Sequence, residues 1–373
     1  MKYILRQTAW TLLSLAFLYA LLAGVSFIVF PDPSSGPRDF QAADRTLYMT
    51  VPKYVFLGRS VFDNPDNKVI LVGASNTGVG FRQKVVQAAL GCAKVSNLGM
   101  GGANISEVKQ MIDLVHAVQD DRDRPLNTFV IGAWFGMFVD SDVKFADPDR
   151  TRGDTDIDIE RYRYGFFRRT PDGPVAVLPP KWLDAGVVAL RPLLLIEKVA
   201  RQARSSVSEF VVGNTAQRSD AEREVAVMSE QDKKKALEYW NDTMGHTGEI
   251  SRAQVALLND TIESLLRSGQ KVVLADLPIP AWFRDNSPYQ RSYEEAIKTL
   301  IQQFGSWPTF ASMTMSDLDR DLDYSDEVHA KPHVAQIWST RLATVLDTFL
   351  CKDGSEKLAT VPLPVIGATT APH

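Results

Sequence analysis

Ser75 ends an apolar run, and an Asp-x-x-His pair stands far downstream near the carboxyl terminus. With a glycine-rich turn between them, these are the residues whose types fit nucleophilic chemistry. Ser75 lies in "KVILVGASNTGVGF" (68–81), where a strand-like stretch breaks into Gly73-Ala74-Ser75-Asn76-Thr77-Gly78. A serine hydroxyl becomes a nucleophile when a base takes its proton, a third group orients the base, and donors receive the oxyanion. Asp326 and His329 in "YSDEVHAKPH" are an orienter and a base. In a tight turn the carboxylate meets one imidazole nitrogen and leaves the other for the serine. Asp323 is a second carboxylate near the same turn. "NLGMGGAN" (97–104) carries three glycines, where backbone approaches a ligand with no Cβ in the way. The amides of Ser75 and Gly102 are the expected oxyanion donors.

The elements around these residues must bring them together. "KVILVGA" (68–74), "AKVSNLG" (93–99), "NTFVIGAWF" (127–135) and "KVVLADLP" (271–278) are short apolar runs bounded by turn formers, and read as strands. Residues 81–90, 105–119 and 251–269 repeat apolar side chains at helical spacing, the last stopping at Gly269. A final helix is expected over 331–350. Strands alternating with helices predict a parallel sheet covered on both faces. A helix packed on such a sheet starts at the carboxyl edge of the strands, so the turn carrying His329 falls on the edge that carries Ser75. Residues 31–67 read as a linker and irregular packed structure. Residues 139–250 interrupt the rhythm with turn-rich pieces and two expected helices, 182–204 and 219–243. They read as an insertion over the carboxyl ends of the strands, where loops build ligand sites. The tail 353–373 has neither period and reads as disordered.

The 373 residues have the apolar and charged fractions of a globular protein, 45% and 23%. A net charge of −4 gives no sign of a nucleic-acid binder. Arg161, Arg163, Arg168 and Arg169 form a local basic cluster that reads as a solvated face. From Ala9 to Phe30 no residue is charged. At 1.5 Å per residue this run spans about 33 Å, the thickness of a bilayer core. Lys2 and Arg6 precede it, which places the N-terminus in the cytoplasm and exports the rest. The apolar run exceeds the roughly 7–15 residues of a cleaved signal peptide, so an uncleaved single-pass anchor is expected. The expected location is the cytoplasmic membrane, with the remainder periplasmic or extracellular. Cys92 and Cys351 are the only cysteines. An exported location permits their oxidation, and both fall where helices should end at the edge of the sheet opposite Ser75. A disulfide between them is expected.

Taken together, G-A-S-N-T (73–77), N-L-G-M-G-G (97–102) and S-D-E-V-H (325–329) resemble the first, second and last sequence blocks of the SGNH, or GDSL-type, hydrolase superfamily. The resemblance covers most of 68–350 and leaves the insertion out. It implies a three-layer α/β/α, flavodoxin-like parallel sheet, with Ser75 as nucleophile, His329 as base, Asp326 as orienter and Gly102 as an oxyanion amide. It implies no cofactor. Two positions depart from the pattern. Ala74 replaces the aspartate before the serine, and Trp134, in G-A-W-F, stands where the third block has an asparagine donor. Either another group such as Asn104 or Asn76 supplies that donor, or the site is a slow or specialised acyl-transfer site. A membrane anchor ahead of such a domain is similar to the surface-glycan acylation proteins, among them the alginate O-acetyltransferase group and the D-alanyl-transfer proteins. The implied substrate is an envelope or periplasmic glycan, and the implied partner a membrane-embedded acyl-transfer protein.

Other readings stay beside this one. The missing asparagine permits a non-catalytic glycan-binding or assembly subunit that keeps the fold. The α/β-hydrolase elbow G-x-S-x-G fits poorly, because Thr77 stands two after Ser75 and Gly78 comes one place late. Trp134 and Trp282 suit either sugar stacking or core packing. His333 follows His329 at the spacing of a helical metal pair, without an evident third ligand. His116 and His246 read as structural. "LND" (258–260) mimics a block-three motif inside a helix.

Overall fold

The computed structural model describes residues 2–30, 51–140, 144, 167–170, 173–176, 189–200 and 220–351. The tail 353–373, most of the linker, Arg161, Arg163 and much of the insertion lie outside the described residues.

Five parallel strands form one sheet: β1 (Lys68–Gly73), β2 (Lys94–Asn97), β3 (Asn127–Ala133), β6 (Lys271–Asp276) and β7 (Phe310–Thr314), in the order β2-β1-β3-β6-β7. Every residue of β1 and β3 is buried. A parallel strand covered on both faces must be apolar throughout, and the run Val69-Ile70-Leu71-Val72 meets that demand. Its side chains divide by the period of two. Ile70 and Val72 join one hydrophobic cluster with the helices α5 (Ile105–Val118), α9 (Arg252–Arg267) and α11 (Gln290–Phe304). Val69 and Leu71 join another with α4 (Gln83–Ala89) and α12 (Pro332–Leu346). Gly73 pairs with Gly132 and Ala133 with Asp276, so β1, β3 and β6 end level at one edge.

The structure corrects several expectations. β7 has no counterpart among the expected strands: "FASMT" is half-exposed at the sheet's edge and mixes Ser and Thr with its apolar residues. Residues 219–243 are two helices, α7 (Asp220–Val225) and α8 (Glu230–Thr243). Ser229 caps the second by accepting the Asp232 amide. The segment before β1 contains a helix, α2 (Val51–Leu57). The helix expected over 81–90 is preceded by a shorter one, α3 (Ser75–Gly80), so Ser75 opens a helix of its own. Within the insertion the described pieces include a hairpin of β4 (Phe167–Thr170) and β5 (Gly173–Ala176) and a helix, α6 (189–200). Arg168 and Arg169 lie on that hairpin.

One N-terminal helix, α1 (Lys2–Val29), is long and apolar enough to cross a membrane. Cys92 and Cys351 form a disulfide with their Cα atoms 5.8 Å apart. A disulfide suggests a location outside the cytoplasm. It ties the loop after α4 to the chain after α12, two helices packed in the same cluster.

Candidate active site

Ser75 is placed by a sharp turn from strand to helix. Ala74 is still extended, at φ −77° and ψ −170°, and Ser75 is the first helical residue. The turn locks on Thr77. Its Oγ1 fills the space where a Cβ at Gly73 would lie, 2.1 Å away, and Gly73 has φ +154°. Thr77 Oγ1 also donates to the Gly132 carbonyl at 3.5 Å. The bare backbones of Gly73 and Gly132 thus seat Thr77 at the end of the sheet and hold the helix that begins with Ser75.

A second brace comes from Asn97, buried at the end of β2. Its Nδ2 donates to the carbonyls of Gly78, at 3.0 Å, and Phe81, at 2.8 Å, while its Oδ1 accepts from the Gly99 amide at 3.0 Å. One side chain therefore joins the Ser75 helix to the glycine turn. The Met100 amide adds a bond to the Gly73 carbonyl at 2.9 Å. Gly102 is exposed in that turn at φ +66°, a conformation that excludes most side chains although the space around it is open.

The base arrives from the other end of the chain. His329 Nε2 lies 2.8 Å from Ser75 Oγ, across a separation of 254 residues. Its Nδ1 lies 2.8 Å and 2.9 Å from the two oxygens of Asp326. Asp326 Oδ1 also accepts the backbone amides of Val328, at 3.0 Å, and His329, at 2.8 Å. The loop is closed by an antiparallel bridge between Tyr324 and Ala330. Ser75 is half-buried; the side chains of His329 and Asp326 keep 26% and 31% of their exposure, so all three are open to solvent. Burial pushes the Asp326 carboxyl up. The hydrogen bond and charge of His329 and the two amides outweigh it and hold the pKa below the usual aspartate value. An ionised Asp326 accepts Nδ1–H, which leaves Nε2 as acceptor for the Ser75 hydroxyl. Asp323 does not compete: it is buried and held by both Nε and Nη of Arg320.

Contacts between α12 and the Ser75 arm maintain this meeting. Ser339 Oγ accepts the Arg82 amide at 2.7 Å, and the Trp338 ring packs 6.2 Å from that of Phe81. The insertion contributes as well. Arg82 pairs with Asp220 at 2.8 Å, Arg223 donates to the Ala330 carbonyl at 2.8 Å, and Glu224 pairs with His333. The short helix α7 therefore touches both the arm that carries Ser75 and the arm that carries His329. His333 is engaged in that pairing, and among the described residues no cluster of His, Cys, Asp or Glu suits a metal.

Two of the four candidate binding residues are structural. Asn104 is buried as the N-cap of α5: its Oδ1 accepts the Glu107 amide and its Nδ2 donates to the Val139 carbonyl at 3.2 Å. With 0% exposure it does not face the open side of the site. Trp134 is 3% exposed and stands edge-on to Trp240 of α8, centroids 4.7 Å apart, so it is a core residue and stacks on no sugar. Trp240 in turn donates its indole N–H to Glu327, two residues before His329, at 3.2 Å. Burial, then the Asp326 charge, push the Glu327 carboxyl above its usual value. Asn76 is buried with Oδ1 on the Thr77 amide, and its Nδ2 has no partner among the described residues. Trp282 is partly exposed, lies under the Lys233 ammonium, and lines a small cavity with Lys233, Tyr324 and Asp326.

No protein-family model matches this chain, and no curated protein does. Sequence reasoning missed the Asn97 brace, although that asparagine stands in the N-x-G stretch already singled out. It also missed Trp240, Glu327 and the residues of α7, because each acts through a partner far away in the sequence.

Proposed function

We propose that this protein is an exported, membrane-anchored serine acyl-transfer enzyme of the SGNH type, built on a three-layer α/β/α sheet. The observation that carries the reading is the run of hydrogen bonds from Ser75 Oγ through His329 to Asp326 at the carboxyl edge of the sheet.

Ser75 Oγ attacks the carbonyl carbon of an ester while His329 Nε2 takes the hydroxyl proton. Asp326 holds the tautomer and stabilises the imidazolium, without itself becoming protonated. The carbonyl oxygen becomes an oxyanion on the amides of Ser75 and Gly102. Asn76 Nδ2 is the unpartnered side-chain amide next to Ser75; it is buried, so it stands in for the absent asparagine only if the turn shifts when substrate binds. As the tetrahedral intermediate collapses, the carbon–oxygen ester bond breaks and the leaving alkoxide takes the proton from His329. The acyl group then sits on Ser75. In the second half His329 deprotonates water or a sugar hydroxyl, which attacks the acyl-serine and restores the free Ser75 hydroxyl. No cofactor enters.

The proposed placement supports a substrate class. An enzyme tethered at the outer face of a membrane meets envelope polymers, so an ester-linked acyl group on an envelope glycan is the proposed substrate. The partner would be a membrane-embedded protein that supplies the acyl group. Turnover of an activated acetyl ester by the full-length protein in detergent, compared with Ser75→Ala, is the test. The expected result is turnover that falls by several orders of magnitude in a folded Ser75→Ala protein. Glycan affinity with no turnover by the wild type would favour a binding subunit instead.

A further inference from the structure

The insertion helix α6, "ALRPLLLIEKVA" (189–200), runs beside the outer end of α1. Arg191 is buried, with Nε 3.1 Å from Ser26 Oγ and one Nη 2.9 Å from the Ser26 carbonyl. A further bond from the same guanidinium reaches the Phe30 carbonyl. These are terminal carbonyls of α1, which a cation caps favourably. The guanidinium also lies 4.0 Å from the centroid of the Phe27 ring, and Lys198 Nζ lies 4.8 Å from that of Phe30. Tyr19 donates its hydroxyl to the Ala189 carbonyl. The two helices are thus in contact along residues 19–30 of α1, the part that leaves the apolar run on the exported side.

The other face of α6 is mainly aliphatic, with half-buried Glu197, one turn after Leu193, as its charged residue. Leu193, Ile196 and Val199, three residues apart, are 54%, 52% and 57% exposed. Arg191 and Lys198 are turned to α1, and Leu194 and Leu195 are buried in the main core. A row of large aliphatic side chains facing water is unfavourable. The face of α1 turned away from α6 is apolar too, with Leu21 at 53% and Ile28 at 83% exposure. A bilayer that encloses α1 up to Phe30 cannot end short of a helix touching Ser26, Phe27 and Phe30.

The geometry points to α6 as a second membrane element: an interfacial helix whose Leu193, Ile196 and Val199 row is seated in the outer leaflet of the lipid bilayer. Helices of this kind lie about 5–10 Å into the boundary between headgroups and acyl chains. With α1 it makes a two-point mount. Leu194 and Leu195 join it to the core, so the catalytic edge is held at a fixed attitude to the membrane instead of swinging on a linker. The inference rests on α1 being a retained anchor, and it is independent of the chemistry at Ser75.

Site-directed labelling tests it. The native cysteines are bonded to each other, so one added by Ile196→Cys is the free thiol to which an environment-sensitive fluorophore attaches. The labelled full-length chain is reconstituted in phosphatidylcholine vesicles, with and without lipid carrying a nitroxide near the top of the acyl chain. Leu21→Cys serves as the anchor control and Val227→Cys as an exposed control away from α1. The expected result is a blue-shifted emission at 196 that the nitroxide quenches, as it does at 21, while 227 stays water-like and unquenched. Quenching at 21 with a water-like, unquenched label at 196 would overturn the interfacial helix and leave the anchor standing. A label at 21 that is also unquenched would overturn both.

Discussion

Ser339 Oγ, in the middle of α12, accepts the backbone N–H of Arg82, just past the helix that Ser75 opens, at 2.7 Å. It joins the arm that carries Ser75 to the arm that carries His329. Ser339 is fully buried, and its hydroxyl also bonds the Ala335 carbonyl at 2.6 Å. Ser339→Ala leaves the Arg82 amide without that acceptor. The expected cost is about 1–3 kcal/mol of stability, read by urea unfolding, with a fall in kcat as the two arms loosen. An unchanged midpoint and unchanged kcat would show that Ser339 does not couple them.

Asn76 offers a cleaner probe of the oxyanion site. Asn76→Asp keeps the oxygen that accepts the Thr77 amide and removes the Nδ2 donor. A kcat lower by about 10²-fold, with KM little changed, is the expectation for a lost oxyanion donor. Activity equal to wild type in a folded variant would remove Asn76 from the mechanism.

Much of this arrangement is legible in the amino-acid sequence, for identifiable reasons. β1, β3 and β6 are buried on both faces and therefore read as unbroken apolar runs, whereas β7 is half-exposed at the edge and its Ser312 and Thr314 blur the signal. The helix α11 buries Tyr293, Ile297, Leu300 and Phe304 at helical spacing, a period the sequence carries in full. Ser75, Asp326 and His329 stand out because type and order together are informative. Asn97 and Trp240 do not, since an asparagine or tryptophan reveals nothing of a partner until the chain is folded. Trp134 was open between sugar stacking and core packing, and its contact with Trp240 decides for the core.

The disulfide closes a loop with a sequence separation of 259 residues. In the chain-entropy view a loop of this size stabilises the fold by about 5–6 kcal/mol. Reduction, or the pair Cys92→Ser with Cys351→Ser, should lower the urea midpoint accordingly. The end of α12 should loosen before its beginning in hydrogen exchange. Coincident unfolding curves for the oxidised and reduced protein would contradict a stabilising role.

His116 sets a pH dependence of stability. It is half-buried in α5 with Nε2 2.9 Å from Gln270 Oε1, and burial lowers its pKa below 6.5. The unfolded chain therefore binds the proton first as the pH falls through about 6.5. Stability is unaffected by this group above that value. It declines as the pH falls from there to the folded-state pKa, and levels off below it. His116→Gln should flatten that part of the curve of Tm against pH between 7.5 and 5 (roughly the His range). A slope identical to wild type would assign the dependence to another group.

The most direct test of acyl-transfer chemistry at Ser75 is labelling of the full-length, folded protein with a fluorophosphonate, followed by peptide mapping of the modified residue. A nucleophile activated by His329 and Asp326 predicts one adduct on Ser75, lost in His329→Ala. A folded protein that takes up no label, or that carries it on a serine other than Ser75, would contradict the mechanism.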